Sequence, residues 1–260
     1  MNGGVPAARV ALAHRLVSAA GVPLRQHFRT ALGAERKGDA SPVTLADRGA
    51  EMAMRDILSK DMPHDGVWGE EFGAENVDAE WVWVMDPLDG TRAFRAGKPM
   101  FGILLGLLHK GVPVLGIIDQ PVLNERWAGG VGWPAQMNGR NIAVSAETQL
   151  THASLNATSP SMFSGKNATA MQQLSSQVAD MLWGGDAYAY GLMCMGLIDM
   201  VVEADLKPHD FCALAPVVQA AGGIMTDWQG APLHLNSDGR VIAAATPALW
   251  QAAQNILGAA

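Results

Sequence analysis

Apolar residues recur along the chain at two spacings, one typical of helices and one typical of strands. The spacing over residues 8–27 predicts a first helix, and the segment from Ser41 to about Leu58 predicts a second. Continuous apolar runs predict strands over 81–85, 102–108, 112–118 and 125–128. The last three are expected to be antiparallel, with turns at Lys110-Gly111 and Asn138-Gly139.

The second half of the chain alternates between the two spacings. Strands are predicted near residues 153–157, 199–203 and 223–226, and helices near 167–179, 188–197 and 210–221. A last strand and helix follow from Val241. Helices with an antiparallel sheet, followed by mixed α and β units, predict a layered α/β fold. We expect one compact unit with two halves, residues 1–140 and 141–260.

Two carboxylates, Asp86 and Asp89, follow the apolar run at 81–85. Pro87 lacks a backbone donor and Gly90 favours a turn, so the strand is expected to end here. Carboxylates with a free carbonyl at a strand end are suited to a hard cation. Thr91 begins a predicted short helix whose N–H groups would face an anion. The alternative is a pair of Asp residues that only form a turn.

A second acidic position begins a helix in the second half. Asp210 is predicted as the N-cap, and Gly222-Gly223 as the C-terminal stop. Pro216 is expected to kink this helix, because it cannot donate to the carbonyl of Cys212. The predicted buried stripe comprises Phe211, Leu214, Val218 and Ala221.

In this order and spacing, Gly69-Glu-Glu71, the segment 86–91 and the Asp210 helix resemble the inositol monophosphatase superfamily. The finer pattern is similar to its histidinol-phosphate phosphatase branch. It is carried by segments 97–102, 116–127, 185–190 and 202–208. The resemblance covers nearly the whole chain and implies a layered α-β-α-β-α fold, lithium sensitivity and a homodimer. It also implies a Mg²⁺-dependent phosphatase with two or three Mg²⁺ per subunit.

The resemblance assigns a role to each acidic position. Glu70, Asp86 and the Leu88 carbonyl are expected to hold one Mg²⁺. A second is expected between Asp86, Asp89 and Asp210, with Asp86 bridging. Two metals suit phosphate ester hydrolysis, since one activates the attacking water and the other stabilises the leaving oxygen. Because no Ser or Cys lies in a phosphate loop, direct attack by water is expected.

The remaining catalytic and phosphate-binding roles fall on a few residues. By resemblance, Asp47 and Thr91 orient or deprotonate the water, and Glu70 is grouped with them as catalytic. Gly90 and Thr91 are expected to donate backbone N–H groups to the phosphate. Thr44 and Asp47 also have a spacing that would cap a helix. Thr44 and Glu71 are expected to contact the ligands rather than the metal.

The substrate is expected to be L-histidinol phosphate, whose ammonium and imidazole call for carboxylates in the pocket. Asp186 and Glu203 match superfamily positions facing that end of the substrate. Asp186 could instead be an N-cap, and Glu203 a solvated residue at a strand end. Alternative substrates are inositol phosphate, another sugar phosphate or a nucleotide 3′-phosphate. His209, where an aromatic residue is usual in the superfamily, is a departure: it could alter the pocket wall, and the favoured alternative is a polar residue next to a helix cap.

Composition and charge restrict the remaining possibilities. The formal charge of −7 argues against a nucleic-acid partner and agrees with a cation bridging acidic residues to an anionic small phosphate ester. Cys194 and Cys212 fall in apolar patterns, typical of buried thiols in a reducing compartment. With no apolar run of spanning length, no membrane partner is expected and a cytoplasmic location is favoured. A silent scaffold would have lost a metal ligand, Asp47 or Thr91, and none is lost.

Overall fold

Two β-sheets and seven α-helices organise residues 4–30 and 42–259, the part of the chain that the computed structural model describes. The helices are α1 (Ala7–His27), α2 (Pro42–Asp61), α3 (Thr91–Arg95), α4 (Gly165–Ser175), α5 (Asp186–Cys194), α6 (Pro208–Ala220) and α7 (Pro247–Leu257). The strands are β1 (Gly66–Gly69), β2 (Gly73–Glu75), β3 (Trp81–Asp89), β4 (Gly102–His109), β5 (Val112–Gln120), β6 (Glu125–Gly130), β7 (Trp133–Met137), β8 (Arg140–Asn141), β9 (Ser154–Ala157), β10 (Asp180–Trp183), β11 (Met200–Glu203), β12 (Ile224–Asp227) and β13 (Val241–Ala244).

The two sheets differ in size and in strand direction. The larger has the order β2-β1-β3-β4-β5-β6-β7-β8 and is antiparallel except for the β1–β3 pair. The smaller has the order β10-β9-β11-β13-β12, with β9 parallel to both of its neighbours. The parallel β1–β3 pair brings the loop after Gly69 to the same edge as Asp86, since parallel strands end together.

Alternating side chains on β3 divide the core into layers. Trp83 and Met85 pack on the face that α1 and α2 cover, whereas Val82 and Val84 pack with α5 and α6. The smaller sheet lies on the far side of α5 and α6, and its other face packs on α4 and α7. The order of layers is therefore α-β-α-β-α, which confirms the predicted fold class.

Helix α6 lies between the sheets with its backbone directly against the larger one. A β-carbon at Gly106 would be 2.8 Å from the Cys212 carbonyl oxygen, and one at Gly116 would be 1.8 Å from that of Ala213. Both glycines are therefore required by the close approach of helix and strand. Because the helix is enclosed by two sheets, its residues from Phe211 to Val218 are all buried, more than the predicted stripe.

The prediction that the strand ends at Asp86 is wrong, because β3 runs on to Asp89. Its pairing with β4 shifts register between Asp86 and Asp89, which face Leu104 and Gly102. Such a β-bulge leaves a residue out of the ladder, so Pro87 is accommodated without a lost hydrogen bond. Strand β1 pairs only with Val82 to Met85, and so it needs no donor from Pro87 either.

The predicted N-cap of α6 is also wrong. The N-cap is Lys207, and the helix begins with Pro208, a residue favoured in the first turn. Asp210 is the third residue of the helix, and its Oδ2 accepts the Lys207 N–H at 2.6 Å. The helix runs through Pro216 without interruption and ends before Gly222, whose φ is +94°.

Other boundaries differ by a few residues. Helix α4 ends four residues earlier than predicted, and α5 begins and ends earlier. Strands β1, β2, β7, β8 and β10 were not predicted. Ser41 lies outside the described residues. Within residues 4–30 and 42–259, no helix combines the length and the hydropathy that a membrane span requires.

Candidate active site

Five carboxylates from four separate segments converge at one edge of the larger sheet. Single carboxylate oxygens of Asp86, Asp89 and Asp210 lie within 4.8 Å of one another. Oxygens of Asp47, Glu70 and Asp86 form a second group within the same limit. Asp86 belongs to both groups. The structure thus brings together the acidic residues that the sequence predicts as metal ligands, and it adds Asp47 to them.

The β-bulge explains how Asp86 and Asp89 can both reach this site. Residues three apart in a regular strand point to opposite faces, and the register shift removes that restriction. Asp86 is buried, and its Oδ1 accepts the Leu88 N–H at 2.8 Å. Asp89 Oδ2 accepts the Ala187 N–H at 2.6 Å, which ties this strand to α5.

The segment after Asp89 follows the predicted turn into a short helix. Gly90 has φ +82°, and a β-carbon there would lie 2.9 Å from the Met100 carbonyl oxygen. Only glycine satisfies both conditions. Thr91 begins α3, and its hydroxyl donates to the Leu88 carbonyl at 3.2 Å. The two predicted phosphate-binding residues and the predicted carbonyl ligand are therefore adjacent.

Asp47 lies inside α2, five residues after its first residue, so the alternative explanation as a helix cap is wrong. The side chain is buried, and its Oδ1 has no hydrogen-bond partner. Burial, reinforced by Glu71, Glu70 and Glu51, raises the pKa of Asp47 to about 8. An unpaired buried carboxylate oxygen beside other carboxylates can accept a proton or a hydrogen bond from a bound molecule. Thr44 lies one turn earlier in the same helix.

Glu51 is a buried acidic residue that the sequence analysis missed. Its carboxylate accepts the N–H groups of Glu71 at 2.8 Å and Phe72 at 3.2 Å, and it pairs with Arg55 at 2.8 Å. A β-carbon at Gly69 would lie 1.9 Å from Glu51 Oε1, so this glycine admits the carboxylate. Glu51 therefore holds the loop that carries Glu70. Its position four residues after Asp47, on the same helix face, was the available signal.

Glu71 is partly buried, and burial together with Glu70 and Glu51 raises the pKa of its carboxyl. Glu71 does not belong to either of the two groups of carboxylate oxygens that lie within 4.8 Å of one another. The expectation that Glu71 and Thr44 support the ligands rather than bind metal stays a prediction.

A cavity of about 480 Å³ opens next to the carboxylates, and Asp186 lies in its wall. Asp186 is the first residue of α5 and has φ +45°, so Gly185 is the N-cap and the alternative explanation for Asp186 is wrong. Burial, only partly opposed by the nearby Arg92, raises the pKa of Asp186 to about 6. Asp186 also borders the carboxylate site, because a β-carbon on Gly90 would be 3.2 Å from the Asp186 carboxyl carbon. The site and the cavity therefore share a wall.

Glu203 is buried rather than solvated, which removes the alternative considered for it. Its Oε1 accepts both the N–H and the hydroxyl of Thr158, and its Oε2 accepts the Tyr190 hydroxyl at 3.0 Å. Burial raises the pKa of Glu203 to about 7 despite these donors. Its carboxylate is thus occupied by protein groups, and a contact with substrate stays a prediction.

Aromatic and histidine side chains complete the surroundings. Tyr188 donates to Glu125 at 2.6 Å and lines the cavity, whereas Tyr190 is fully buried. The Nε2 atom of His209 lies 4.0 Å from Glu70 Oε1 and 3.7 Å from Asp210 Oδ1. This imidazole therefore faces the carboxylate cluster.

The electrostatics of the cluster fit a bound cation. Burial, together with the other carboxylates, raises the pKa values of Asp86, Asp89 and Asp210. Several carboxylates held this close resist ionising together, and a hard divalent cation relieves that repulsion. Oxygen donors are also the ligands that such cations prefer.

The layered α-β-α-β-α fold and the buried carboxylate cluster agree with the metal-dependent phosphatase class that the sequence predicts. A sequence model of the inositol monophosphatase family matches residues 7–259. The chain belongs to the inositol monophosphatase family, and it is a phosphatase. The predicted family is confirmed.

Individual relatives include two kinds of phosphatase. The chain is 44% identical over 222 residues to the chloroplastic bifunctional phosphatase IMPL2 of Arabidopsis thaliana, covering 85% of this chain and 64% of that protein. It therefore spans less than two thirds of the plant protein. Histidinol-phosphatase of Mycobacterium tuberculosis is 37% identical over 205 residues, or 75% of this chain and 78% of that one. The structure of an inositol monophosphatase from Zymomonas mobilis matches with a TM-score of 0.91 and 46% identity, covering 96% and 97% of the two chains.

Proposed function

We propose that this phosphatase hydrolyses L-histidinol phosphate to L-histidinol and phosphate with Mg²⁺ bound at the carboxylate cluster. The observation that carries the proposal is the shared wall between the cluster and the cavity that Asp186 lines. A phosphate at the cluster leaves the rest of the ester in reach of a carboxylate. The ammonium and imidazole of histidinol can pair with that carboxylate, beside which Arg92 and Lys98 also line the cavity, whereas a neutral polyol offers it no positive charge. The relation to a histidinol-phosphatase at 37% identity supports the same substrate.

Each acidic residue has a place in the proposal. Glu70, Asp86, Asp89, Asp210 and the Leu88 carbonyl would hold Mg²⁺, and two ions fit the two overlapping carboxylate groups. Bound Mg²⁺ supplies a lowered pKa for a coordinated water and positive charge beside the phosphate oxygens. We propose that Glu70, which is half-exposed at the cluster, acts both as a ligand and in catalysis.

The other residues handle the water and the phosphate. The unpaired Oδ1 of Asp47 would accept a proton or hydrogen bond from the attacking water. The Thr91 hydroxyl donates to the Leu88 carbonyl, and so its oxygen can accept a hydrogen bond from the same water. The backbone N–H groups of Gly90 and Thr91 would bind the phosphate. Asp186 and Glu203 would form the side of the pocket away from the phosphate.

An inositol phosphate is the second candidate substrate, supported by the 46% identity to the Zymomonas mobilis inositol monophosphatase. Phosphate release with Mg²⁺ from L-histidinol phosphate, myo-inositol 1-phosphate, fructose 1,6-bisphosphate and adenosine 3′,5′-bisphosphate separates the two. We expect kcat/KM for histidinol phosphate to exceed the others by at least ~100-fold, roughly 2.7 kcal/mol in the transition state. A preference for the inositol ester, or equal rates, would refute this substrate.

We also propose, from the family resemblance, that the enzyme is a cytoplasmic homodimer inhibited by lithium and that its halves divide near residue 140. Analytical ultracentrifugation measures the mass of the particle directly. A monomer at micromolar concentration would contradict the proposed dimer. Activity that is unchanged by millimolar Li⁺ would contradict the proposed inhibition.

A further inference from the structure

Asn156 has a position on β9 that directs its side chain toward the cavity beside the active site. Its neighbours Leu155 and Ala157 are buried in the core cluster with α4 and α7. Successive side chains of a strand alternate between faces, so Asn156 lies on the opposite face, toward α5. Asn156 is also one of the residues that line the cavity of about 480 Å³.

The side chain is buried and yet incompletely paired. Asn156 is only 5% exposed, and its Oδ1 has no hydrogen-bond partner. A buried amide oxygen without a donor costs about 1–3 kcal/mol, and most such groups in folded proteins are paired. In this rotamer Oδ1 is shielded from the cavity that the residue lines, and rotation of the amide about χ2, which exchanges Oδ1 and Nδ2, would bring the acceptor to a ligand that supplies the missing partner.

Three hydroxyl groups in the same wall already have partners. The Thr158 hydroxyl donates to Glu203, the Tyr188 hydroxyl donates to Glu125, and the Ser159 hydroxyl pairs with that of Ser161. These groups are held by the protein and are less free to recognise a ligand. The amide of Asn156 is in this respect different from its neighbours.

Charged groups of both signs line the cavity beside the amide, since Arg92 and Lys98 lie in its wall together with Asp186. Asp186 lies in the same wall and borders the phosphate-binding segment at Gly90. The Trp183 and Tyr188 rings add apolar and aromatic surface. Asp186, the amide and the aromatic rings can receive the N–H donors of a nitrogen-bearing group, while Arg92 and Lys98 suit an anionic part of the same ester.

We propose that Asn156 determines substrate specificity by pairing its side-chain amide with the nitrogen-bearing end of the leaving group, while Asp186 balances that end's positive charge. The inference rests on the proposed function, because it concerns the part of the ester that the phosphate site leaves in the cavity. An amide offers both a donor and an acceptor, so it can pair with either nitrogen of an imidazole. An ester that lacks a nitrogen at this point leaves the Asn156 oxygen unpaired.

The test compares Asn156→Leu with the wild type on two esters, L-histidinol phosphate and p-nitrophenyl phosphate. We expect kcat/KM for histidinol phosphate to fall about 10- to 100-fold, the effect of one lost hydrogen bond to a charged partner. For p-nitrophenyl phosphate, which has no N–H donor, we expect a change of less than ~2-fold. The dissociation constant of L-histidinol, measured by calorimetry, should rise by about the same factor as kcat/KM for L-histidinol phosphate falls.

A second measurement separates specificity from structure. Leucine is nearly isosteric with asparagine and needs no partner, so the ligand-free variant should melt at or above the wild-type temperature. A structural role would instead lower the melting temperature and reduce turnover of both esters equally. Asn156→Asp, which keeps an acceptor, should recover most of the L-histidinol affinity. Asn255→Leu, on the exposed face of α7, is the matched control and should change neither ester.

The outcomes distinguish this inference from the proposed function. If the wild type prefers histidinol phosphate but Asn156→Leu affects both esters equally or neither, the role of Asn156 is refuted and the substrate stands. If the wild type shows no preference for histidinol phosphate, the proposed substrate is refuted. In that case Asn156 would still be supported as the specificity residue only if Asn156→Leu lowered kcat/KM for another nitrogen-bearing ester and left kcat/KM for p-nitrophenyl phosphate unchanged.

Discussion

The carboxylate cluster leads to a prediction about stability as well as activity, tested with Asp86→Asn. Asp86 belongs to both groups of oxygens that lie within 4.8 Å. Two ionised carboxylates at that separation repel each other by about 3 kcal/mol at an effective dielectric constant of 20. The neutral amide removes this repulsion, and its oxygen can still accept the Leu88 N–H. We therefore expect the ligand-free variant to be at least as stable as the wild type at pH 8.5.

The response to Mg²⁺ should be the reverse. An ion that binds only the folded protein at 100 times its Kd stabilises it by about 2.7 kcal/mol. For a chain of this length that corresponds to a rise in melting temperature of roughly 5–11 °C. Asp86→Asn loses the carboxylate shared by both groups, so its rise should be below ~2 °C at the same concentration. Phosphate release should fall to background.

The assay is thermal denaturation in EDTA and in a series of Mg²⁺ concentrations, followed by circular dichroism at pH 8.5. Asp78→Asn, an exposed acid away from the cluster, is the matched control and should show the wild-type response. A full Mg²⁺ response in Asp86→Asn would refute the assignment of Asp86 as a ligand. A ligand-free variant less stable than the wild type by more than ~2 kcal/mol would refute the repulsion argument.

Three other carboxylates lead to separate measurements. Asp47→Asn should lower kcat at least ~100-fold with KM within ~3-fold, since the group acts on the water and not on substrate binding. Burial raises the pKa of Glu203 from 4.5 to about 7, so its stabilising contribution is full below pH 4.5 and is lost as pH rises through 7. Glu203→Gln should therefore gain about 3 kcal/mol relative to the wild type between pH 4.5 and 8, measured by thermal denaturation. Glu51→Ala should cost about 3 kcal/mol in urea denaturation, because Arg55 and the Glu71 N–H lose a buried partner.

Each of these has an outcome that contradicts it. A raised KM with normal kcat would move Asp47 to substrate binding. A difference between Glu203→Gln and wild type that does not change with pH would mean that the carboxyl does not titrate in this range. Glu75→Ala is the control for Glu51, since Glu75 also pairs with Arg55 but is exposed, and it should cost less than ~1 kcal/mol. Equal costs for the two would contradict the role given to burial.

Much of the fold was predictable because apolar periodicity reports which faces are buried. The long strands β3, β4 and β5 have continuous apolar runs, and α1 has regular spacing, so all were found. The short strands β1 and β2 were not, because three or four residues rich in glycine carry no periodicity. Strand β1 forms by pairing along the edge of β3, and β2 pairs in turn with β1.

The site was predictable where neighbours in sequence are neighbours in space. The segment from Asp86 to Thr91 is such a case, although the β-bulge was not predictable, since it depends on the register with β4. Glu51 was missed because its partners, the N–H groups of Glu71 and Phe72, come from a loop twenty residues away. The spacing from Asp47 places Glu51 on the same helix face, but the sequence does not show that N–H donors from a distant loop reach it.

The close approach of α6 to Gly106 and Gly116 has a consequence for how this enzyme can change. Asp210 lies in the first turn of α6. Its distance from Asp86 therefore depends on the direct contact between the backbone of α6 and the backbone of the larger sheet. Side chains that repack by rotamer changes play little part in that contact. In a saturation library, both positions should therefore return almost only glycine, while the walls of the neighbouring cavity accept variety. New leaving groups can then be selected without disturbing the spacing of the carboxylates.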